Sequence, residues 1–143
     1  EWIQFIEEPF SKHFPPAGWL REANTSPVPL ALDESLTGSG LAYWLEHHWP
    51  GFWILKPSLL GNPDVWLTPV SRHKRKVVVS SAFESGIGLS AVIRIAQQFP
   101  GIDHGLGTQA YFEDAFGVPQ QGNELRPLSI EQQKDLWERL PNA

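Results

Sequence analysis

Polar or small residues end a series of apolar segments in this chain at a nearly constant spacing. Glu7, Asp33, Lys56, Ser80 and Gly105 are separated by 26, 23, 24 and 25 residues. A period of about 25 residues accommodates one strand, one helix and two short loops. Because charged residues at successive strand ends are typical of the active-site edge of a β/α barrel, this spacing predicts strands and helices that alternate around a parallel sheet.

Apolar or β-branched segments that are bounded by turn-forming residues predict five strands. These strands span 2–6, 28–32, 52–56, 76–80 and a short segment at 103–107. Apolar residues at helical spacing predict helices at 40–48, 63–73 and 88–99, and the proline-rich segment 10–27 predicts only a short helix near 19–23. Ser129 and Gln132 have the spacing of a capping box, which predicts a last helix that ends at Pro141 and follows a connector at 117–128.

Length and composition limit the classes of protein that this chain can belong to. Its 143 residues fit one domain, whereas a complete β/α barrel usually needs about 250 residues. Because the predicted strand 2–6 follows directly after Glu1 and there is no initiating Met, we expect the chain to be part of a longer protein. The net charge of −5 argues against a nucleic-acid partner, and the lack of cysteine excludes thiolate metal sites. No apolar segment predicts a membrane span, and we expect a cytoplasmic location.

Alternation along a strand predicts which side chains share a face with the charged strand ends. Phe5, Ala31 and Ile54 each lie two residues before such an end and are predicted to point into the barrel. Burial of the carboxylates of Glu7 and Asp33 on adjacent strands would be costly without a cation, and hard oxygen ligands suit Mg²⁺. The alternative is that these carboxylates are unrelated residues of surface loops.

Five blocks of sequence follow one another at this spacing. They are Glu7-Glu8-Pro9, Asp33-Glu34-Ser35-Leu36, Lys56-Pro57-Ser58-Leu59-Leu60-Gly61, Ser80-Ser81-Ala82-Phe83-Glu84-Ser85-Gly86-Ile87-Gly88-Leu89 and Gly105-Leu106-Gly107-Thr108. In this order they resemble the C-terminal part of the enolase-superfamily barrel, and most closely that of the o-succinylbenzoate synthases. The resemblance implies an α/β fold, the C-terminal half of a (β/α)₇β barrel. Barrel strands four to eight would occupy 1–116, and the connector and C-terminal helix would occupy 117–143.

The resemblance also implies a metal site. In this superfamily, carboxylates at the ends of the third, fourth and fifth strands bind Mg²⁺, which holds an enediolate intermediate. Glu7 and Asp33 match the second and third of these carboxylates, and Glu8 would be a supporting or loop residue. The first carboxylate, a Lys-x-Lys strand and an N-terminal capping domain would all precede Glu7. We therefore expect that this chain needs the missing N-terminal portion and is inactive alone.

The remaining site residues follow from the same resemblance. Lys56 matches a catalytic lysine on the sixth strand. As an ammonium it would stabilise the enediolate or lie over the substrate ring, and as a neutral amine it would act as a base. A surface lysine is the alternative. Ser80 and Ser81 would contact the succinyl arm of the substrate, and Gly105 would offer a backbone contact.

The implied reaction is the dehydration of a small-molecule carboxylate, 2-succinyl-6-hydroxy-2,4-cyclohexadiene-1-carboxylate, to o-succinylbenzoate in menaquinone or phylloquinone synthesis. Other activities of the superfamily stay open because they share the barrel motifs: N-acylamino acid racemase, dipeptide epimerase and cycloisomerase. A non-catalytic binding or structural fragment is the alternative from a different class.

Four further polar features are expected to be mainly structural. His47 and His48 are adjacent helix positions that do not face each other, so they are not a predicted metal pair. The basic segment 72–76 is predicted to be a solvated helix end, and Glu84 is predicted to fix its loop. His104 lies near the last strand end, where packing and a substrate contact both stay open.

Overall fold

A parallel sheet organises the chain in the computed structural model, which describes residues 3–11, 13–111 and 117–139. In these residues the sheet has four strands in sequence order, β1 (Ile6–Glu7), β2 (Leu30–Leu32), β3 (Phe52–Leu55) and β4 (Val77–Val79). The register places Ile6 opposite Leu30, Ala31 opposite Phe52 and Trp53 opposite Val77. A parallel bridge between Ser80 and Gly105 extends the sheet beyond β4. The predicted alternation of parallel strands with helices is confirmed.

Helices connect the strands and follow them. Within the described ranges they are α1 (Pro16–Thr25), α2 (Gly40–Glu46), α3 (Pro57–Leu60), α4 (Pro63–Val70), α5 (Gly86–Ala96) and α6 (Ile130–Arg139). Turns of 3₁₀ helix lie at Glu34–Leu36, Ser71–Lys76 and Gly107–Tyr111, and an antiparallel hairpin joins β5 (Gln120–Gln121) to β6 (Glu124–Leu125). Of the helices in this part of the chain, none is both long and apolar enough to cross a bilayer.

The two faces of the sheet bury two different apolar layers. The face covered by helices carries the larger core, which includes Leu30, Leu32, Trp53, Leu55, Val77 and Val79 from the strands and Trp19, Trp44 and Leu89 from the helices. The opposite face buries Ala31, Ile54 and Val78, against which Phe5, Phe52 and Ile102 pack. The predicted inward direction of Phe5, Ala31 and Ile54 is therefore confirmed. We call this second set the inner layer.

Local sequence determines where two of the helices begin. Asn62 caps α4, since its side chain accepts a hydrogen bond from the Asp64 N–H at 3.0 Å and Pro63 stands in the first turn. The predicted capping box of α6 is confirmed. The Ser129 N–H donates to Gln132 Oε1 at 2.8 Å, and the Gln132 N–H donates to Ser129 Oγ at 3.2 Å. The predicted stop at Pro141 lies outside the described residues.

Two helices differ most from their predicted lengths, while α2 and α5 lie within two or three residues of their predicted ends. The sequence predicted only a short helix at 19–23, and this length was wrong. Helix α1 already begins at Pro16, because a proline in the first turn lacks an N–H that no helical hydrogen bond would use there. Helix α4 ends at Val70 instead of continuing to 73. The chain then forms 3₁₀ turns in which His73 has non-helical angles (φ −103°, ψ 23°).

Two other segments also differ from their predicted form. The predicted strand at 103–107 is reduced to the single bridge between Ser80 and Gly105. The connector at 117–128 contains the β5–β6 hairpin, which the sequence did not predict. Its tight turn is possible because Gly122 adopts a φ of 60°, a conformation that costs glycine little.

Candidate active site

Parallel pairing brings the predicted site residues to one edge of the sheet. Glu7 ends β1, Asp33 follows β2 and Lys56 follows β3, so all three lie at the carboxyl ends of neighbouring strands. Lys56 Nζ donates a hydrogen bond to Asp33 Oδ2 at 2.5 Å and lies 3.7 Å from Glu34 Oε1. The structure therefore groups these charges as the spacing predicts, and their chemical roles stay predictions.

Burial and charge oppose each other in the Lys56–Asp33 pair. Asp33 is 8% exposed, and burial raises the pKa of its carboxyl group although the hydrogen bond and charge of Lys56 act to lower it. Burial acts to lower the pKa of Lys56, but the hydrogen bond and charge of Asp33, with the charges of Glu34 and Glu7, raise it overall. Lys56 is therefore an ammonium at neutral pH in this arrangement.

Glu7 adds a second carboxylate to this edge. Burial raises the pKa of its carboxyl group, repulsion from Asp33 raises it further, and Lys56 acts in the opposite direction. Two carboxylates that repel each other are a donor pair that a hard cation would stabilise. No three His, Cys, Asp or Glu side chains of the described residues are grouped to hold a metal. Glu7 and Asp33 offer two oxygen donors, fewer than a Mg²⁺ ion binds, and their role as metal ligands stays a prediction.

Glu8 holds the turn that follows β2. Its Oε1 accepts hydrogen bonds from the N–H groups of Asp33 at 2.8 Å and Ser35 at 2.9 Å, and its Oε2 accepts one from Ser35 Oγ at 2.9 Å. The carboxylate thus lies against the backbone of the next unit. The sequence left Glu8 as a supporting or loop residue and gave no signal for these partners, because they lie 25 and 27 residues away.

Ser80, Ser81 and Gly105 come together at the end of β4. The Ser81 N–H and hydroxyl both donate to the Gly105 carbonyl, at 2.9 and 3.2 Å, and Thr108 Oγ1 donates to Ser81 Oγ at 2.8 Å. Ser81 is 4% exposed, so it ties two segments together. The Ser80 hydroxyl makes only a longer bond of 3.3 Å to the Gly105 carbonyl. A Cβ at Gly105 would lie 3.2 Å from Ser80 Oγ, so glycine leaves space for that hydroxyl.

Comparison with known proteins shows which family this chain is similar to. The o-succinylbenzoate synthase of Thermosynechococcus vestitus is 30% identical over 144 residues, which cover 96% of this chain and 41% of that protein. The synthase of Haemophilus influenzae is 32% identical over 115 residues, covering 74% of this chain and 32% of that protein. The chain matches the C-terminal part of an o-succinylbenzoate synthase. No protein-family model matches it.

A solved structure extends this match to three dimensions. The o-succinylbenzoate synthase of Thermosynechococcus elongatus, complexed with Mg in its active site, aligns with a TM-score of 0.68 and 26% sequence identity over 96% of this chain and 41% of that chain. The fold is therefore the C-terminal part of the synthase barrel, as predicted. The chain spans less than half the length of the synthases that it matches.

Glu84 joins the loop that follows β4 to helix α3 at the same edge of this synthase-like barrel. Its Oε2 accepts a hydrogen bond from the Ala82 N–H at 2.8 Å, and its Oε1 accepts one from the Ser58 hydroxyl. The prediction that Glu84 fixes its own loop is confirmed. The contact with Ser58 also joins that loop to α3, which begins directly after Lys56.

His104 packs inside the synthase-like fold. Its Nδ1 accepts a hydrogen bond from the Val79 N–H at 3.1 Å, so the ring proton lies on Nε2, which donates to the Ala96 carbonyl at 3.1 Å. Burial lowers the pKa of this imidazole, although the carbonyls of Ala96 and Phe99 act to raise it. Both ring nitrogens have protein partners, and this favours packing over the substrate contact that the sequence left open.

The adjacent histidines His47 and His48 are both exposed. The His47 ring stacks on Tyr43 with ring centroids 4.0 Å apart, and its Nδ1 is 2.8 Å from the Tyr43 carbonyl. His48 belongs to the turn after α2 and has a φ of 54°. The surface role predicted for both residues is confirmed.

Proposed function

We propose that this chain is the C-terminal barrel portion of a Mg²⁺-dependent o-succinylbenzoate synthase. The whole protein would convert 2-succinyl-6-hydroxy-2,4-cyclohexadiene-1-carboxylate to o-succinylbenzoate and water, a step of menaquinone or phylloquinone synthesis. The observation that carries the proposal is the hydrogen bond between Lys56 and Asp33 beside Glu7, at the carboxyl edge of the parallel sheet. The similarity to synthases supports it.

The reaction needs a positive charge next to the substrate carboxylate. The C1–H and C6–O bonds of the ring break, the C1–C6 double bond forms, and the proton and hydroxide leave as water. The proton on C1 is only weakly acidic, and its loss places negative charge on the neighbouring carboxylate oxygens. Lys56 presents an ammonium at this edge, held by Asp33 at 2.5 Å. A preorganised charge there stabilises the anion as it forms, without the cost of reorienting water.

Asp33 and Glu7 are proposed to hold the metal. Mg²⁺ bound to these carboxylates would supply further positive charge for the substrate carboxylate. Asp33 would then serve both cations, since Oδ2 accepts from Lys56 and a carboxylate has a second oxygen with free lone pairs. The two strand ends thereby fix the distance between Lys56 and the metal donors.

The turn after β4 is proposed to receive the succinyl arm. Ser80 is the better placed of the two serines, because it is half-buried and its hydroxyl makes only a 3.3 Å bond to Gly105. Ser81 is buried, and its hydroxyl already donates to the Gly105 carbonyl and accepts from Thr108. We assign substrate contact to Ser80, support to Ser81, and to Gly105 the space beside the Ser80 hydroxyl.

The proposed site is completed by other parts of the same protein. Two carboxylates leave most of an octahedral Mg²⁺ shell to other donors, and the matched synthases are more than twice as long as this chain. We propose a small-molecule carboxylate substrate, a cytoplasmic location, and no activity for the chain without the remaining portion.

The test uses the intact protein that contains this chain. It is incubated with the cyclohexadiene carboxylate, and o-succinylbenzoate is measured by mass spectrometry with Mg²⁺ and with a chelator. We expect Mg²⁺-dependent product formation that is lost in Asp33→Asn and retained in Asp135→Asn, the same change at an exposed aspartate on α6. A protein that racemises N-acylamino acids but never dehydrates this substrate would be a racemase. A protein that does neither, and that also fails to epimerise dipeptides or to act as a cycloisomerase, would be a non-catalytic relative.

A further inference from the structure

The carboxylate of Glu8 contacts the turn that carries Asp33 through three hydrogen bonds. Two come from the backbone N–H groups of Asp33 and Ser35, and one comes from the Ser35 hydroxyl, all at 2.8 to 2.9 Å. Glu8 directly follows β1, whereas Asp33 directly follows β2. The bonds therefore cross from one strand end to its neighbour at the edge where Lys56 lies.

Glu8 accepts a hydrogen bond that an aspartate in the position of Asp33 usually accepts with its own side chain. Asp33 precedes the 3₁₀ turn Glu34–Leu36 in the capping position, where an aspartate commonly accepts a hydrogen bond from the N–H two or three residues ahead. Asp33 makes no such side-chain bond, and its carboxylate instead accepts from Lys56. The Ser35 N–H, which is the donor two residues ahead, goes to Glu8.

The backbone at Glu8 is strained. Glu8 has a positive φ of 39°, a left-handed conformation that residues other than glycine rarely adopt. Conformations of this kind cost free energy and persist only where the surrounding contacts determine them. The three hydrogen bonds that Glu8 accepts are such contacts. They hold Asp33 and Ser35, whose backbone sets the direction of the Asp33 side chain.

We propose that Glu8 is a positioning residue that caps the turn after β2 in place of Asp33 and so frees the Asp33 carboxylate for Lys56. In the absence of Glu8, the Asp33 carboxylate turns back to its own N–H donors and leaves the ammonium. The inference concerns the ion pair itself. Only its consequence for metal binding rests on the proposed function.

The main test measures the coupling between Asp33 and Lys56 in the intact protein. A double-mutant cycle with Asp33→Asn and Lys56→Met, read from thermal unfolding without metal or substrate, gives the energy shared by the pair. The same cycle is then measured in Glu8→Ala and Glu8→Gln backgrounds. We expect the coupling to be present with Glu8, lost with alanine, and largely retained with glutamine, whose amide oxygen still accepts both N–H groups. The control Glu138→Ala removes an exposed carboxylate on α6 and leaves the coupling unchanged.

The outcomes separate positioning from general stabilisation. A purely structural Glu8 would lower the melting temperature in Glu8→Ala but leave the coupling intact, and this would overturn the proposal. A coupling that is absent even with Glu8 present would overturn it too. As a second readout, calorimetric titration with Mg²⁺ alone should show a dissociation constant raised about 10- to 100-fold by Glu8→Ala. If dehydration fails but the coupling behaves as expected, the proposed function falls while the positioning role stands.

Discussion

Lys56 and Asp33 follow consecutive strands of the sheet, and a hydrogen bond of 2.5 Å joins their side chains over a separation of 23 residues. A one-residue slip of either strand would turn one partner to the other face. The pair therefore depends on the register that sets Leu32 opposite Trp53.

In the intact protein, Lys56→Ala should lower kcat more than it raises KM. The ammonium matters most when negative charge forms on the substrate, so its loss should reduce kcat by about 100- to 1,000-fold. Steady-state kinetics with the cyclohexadiene carboxylate measure this, with Lys134→Ala as the control for loss of a lysine. An unchanged kcat with a raised KM would make Lys56 a binding residue only.

Residues 1–143 alone should bind Mg²⁺ weakly or not at all. Glu7 and Asp33 offer two carboxylates, and one of them already pairs with Lys56, so water would supply most of the metal shell. Calorimetric titration of the isolated chain checks this. Tight binding with one ion per chain would contradict it and would point to donors beyond these two.

His104 should contribute less to the stability of the folded chain as the pH falls below about 6.5, the ordinary pKa of histidine. Burial lowers the pKa of His104, so the unfolded chain takes up the proton more readily. The stabilisation from the neutral imidazole is therefore complete above about pH 6.5. It declines as the pH falls towards the lower pKa that His104 has in the folded chain. Protonation also removes the Nδ1 acceptor of the Val79 N–H.

Melting temperatures across pH 5–8 should show this dependence reduced in His104→Gln. Part of it should persist, because burial also lowers the pKa of His73. The exposed His47→Gln serves as the control and should keep the full dependence. Equal slopes in His104→Gln and the unmodified protein would rule out a role for this imidazole.

Gly51→Ala should destabilise the fold by about 1–3 kcal/mol or more, as expected for overpacking against atoms that cannot move. A Cβ at Gly51 would lie 2.1 Å from the Leu30 carbonyl oxygen and 2.8 Å from Trp49 Nε1. Denaturant unfolding measures the change. At the control position, Gly107→Ala, an added Cβ meets no atom within 4 Å. Similar losses at both positions would show that steric contact is not the cause.

The spacing of strand ends predicted the common edge of Glu7, Asp33 and Lys56 because parallel strands with similar crossovers leave their carboxyl ends together. The alternation of side chains along each strand predicted the inner layer, because successive side chains of a strand point to opposite faces of the sheet. The partners of Glu8 and His104 could not be predicted from the sequence. Each of these side chains accepts a hydrogen bond from a backbone N–H group 25 residues away, and no local pattern indicates such a contact. The length of α1 was mispredicted because a proline that starts a helix looks, in sequence, like one that breaks it.

The inner layer of Ala31, Ile54 and Val78 is buried and apolar, and it lies beneath the charged edge. Apolar walls of this kind concentrate the electric field of nearby charges on the open side. Three carboxylates, those of Glu7, Asp33 and Glu34, act on one ammonium, that of Lys56. Glu8 adds a further carboxylate beside Asp33, so carboxylates outnumber the ammonium at this edge. Among the described residues, this excess of negative charge would repel an approaching carboxylate. The proposed reaction would therefore require a divalent cation to bind before the anionic substrate does.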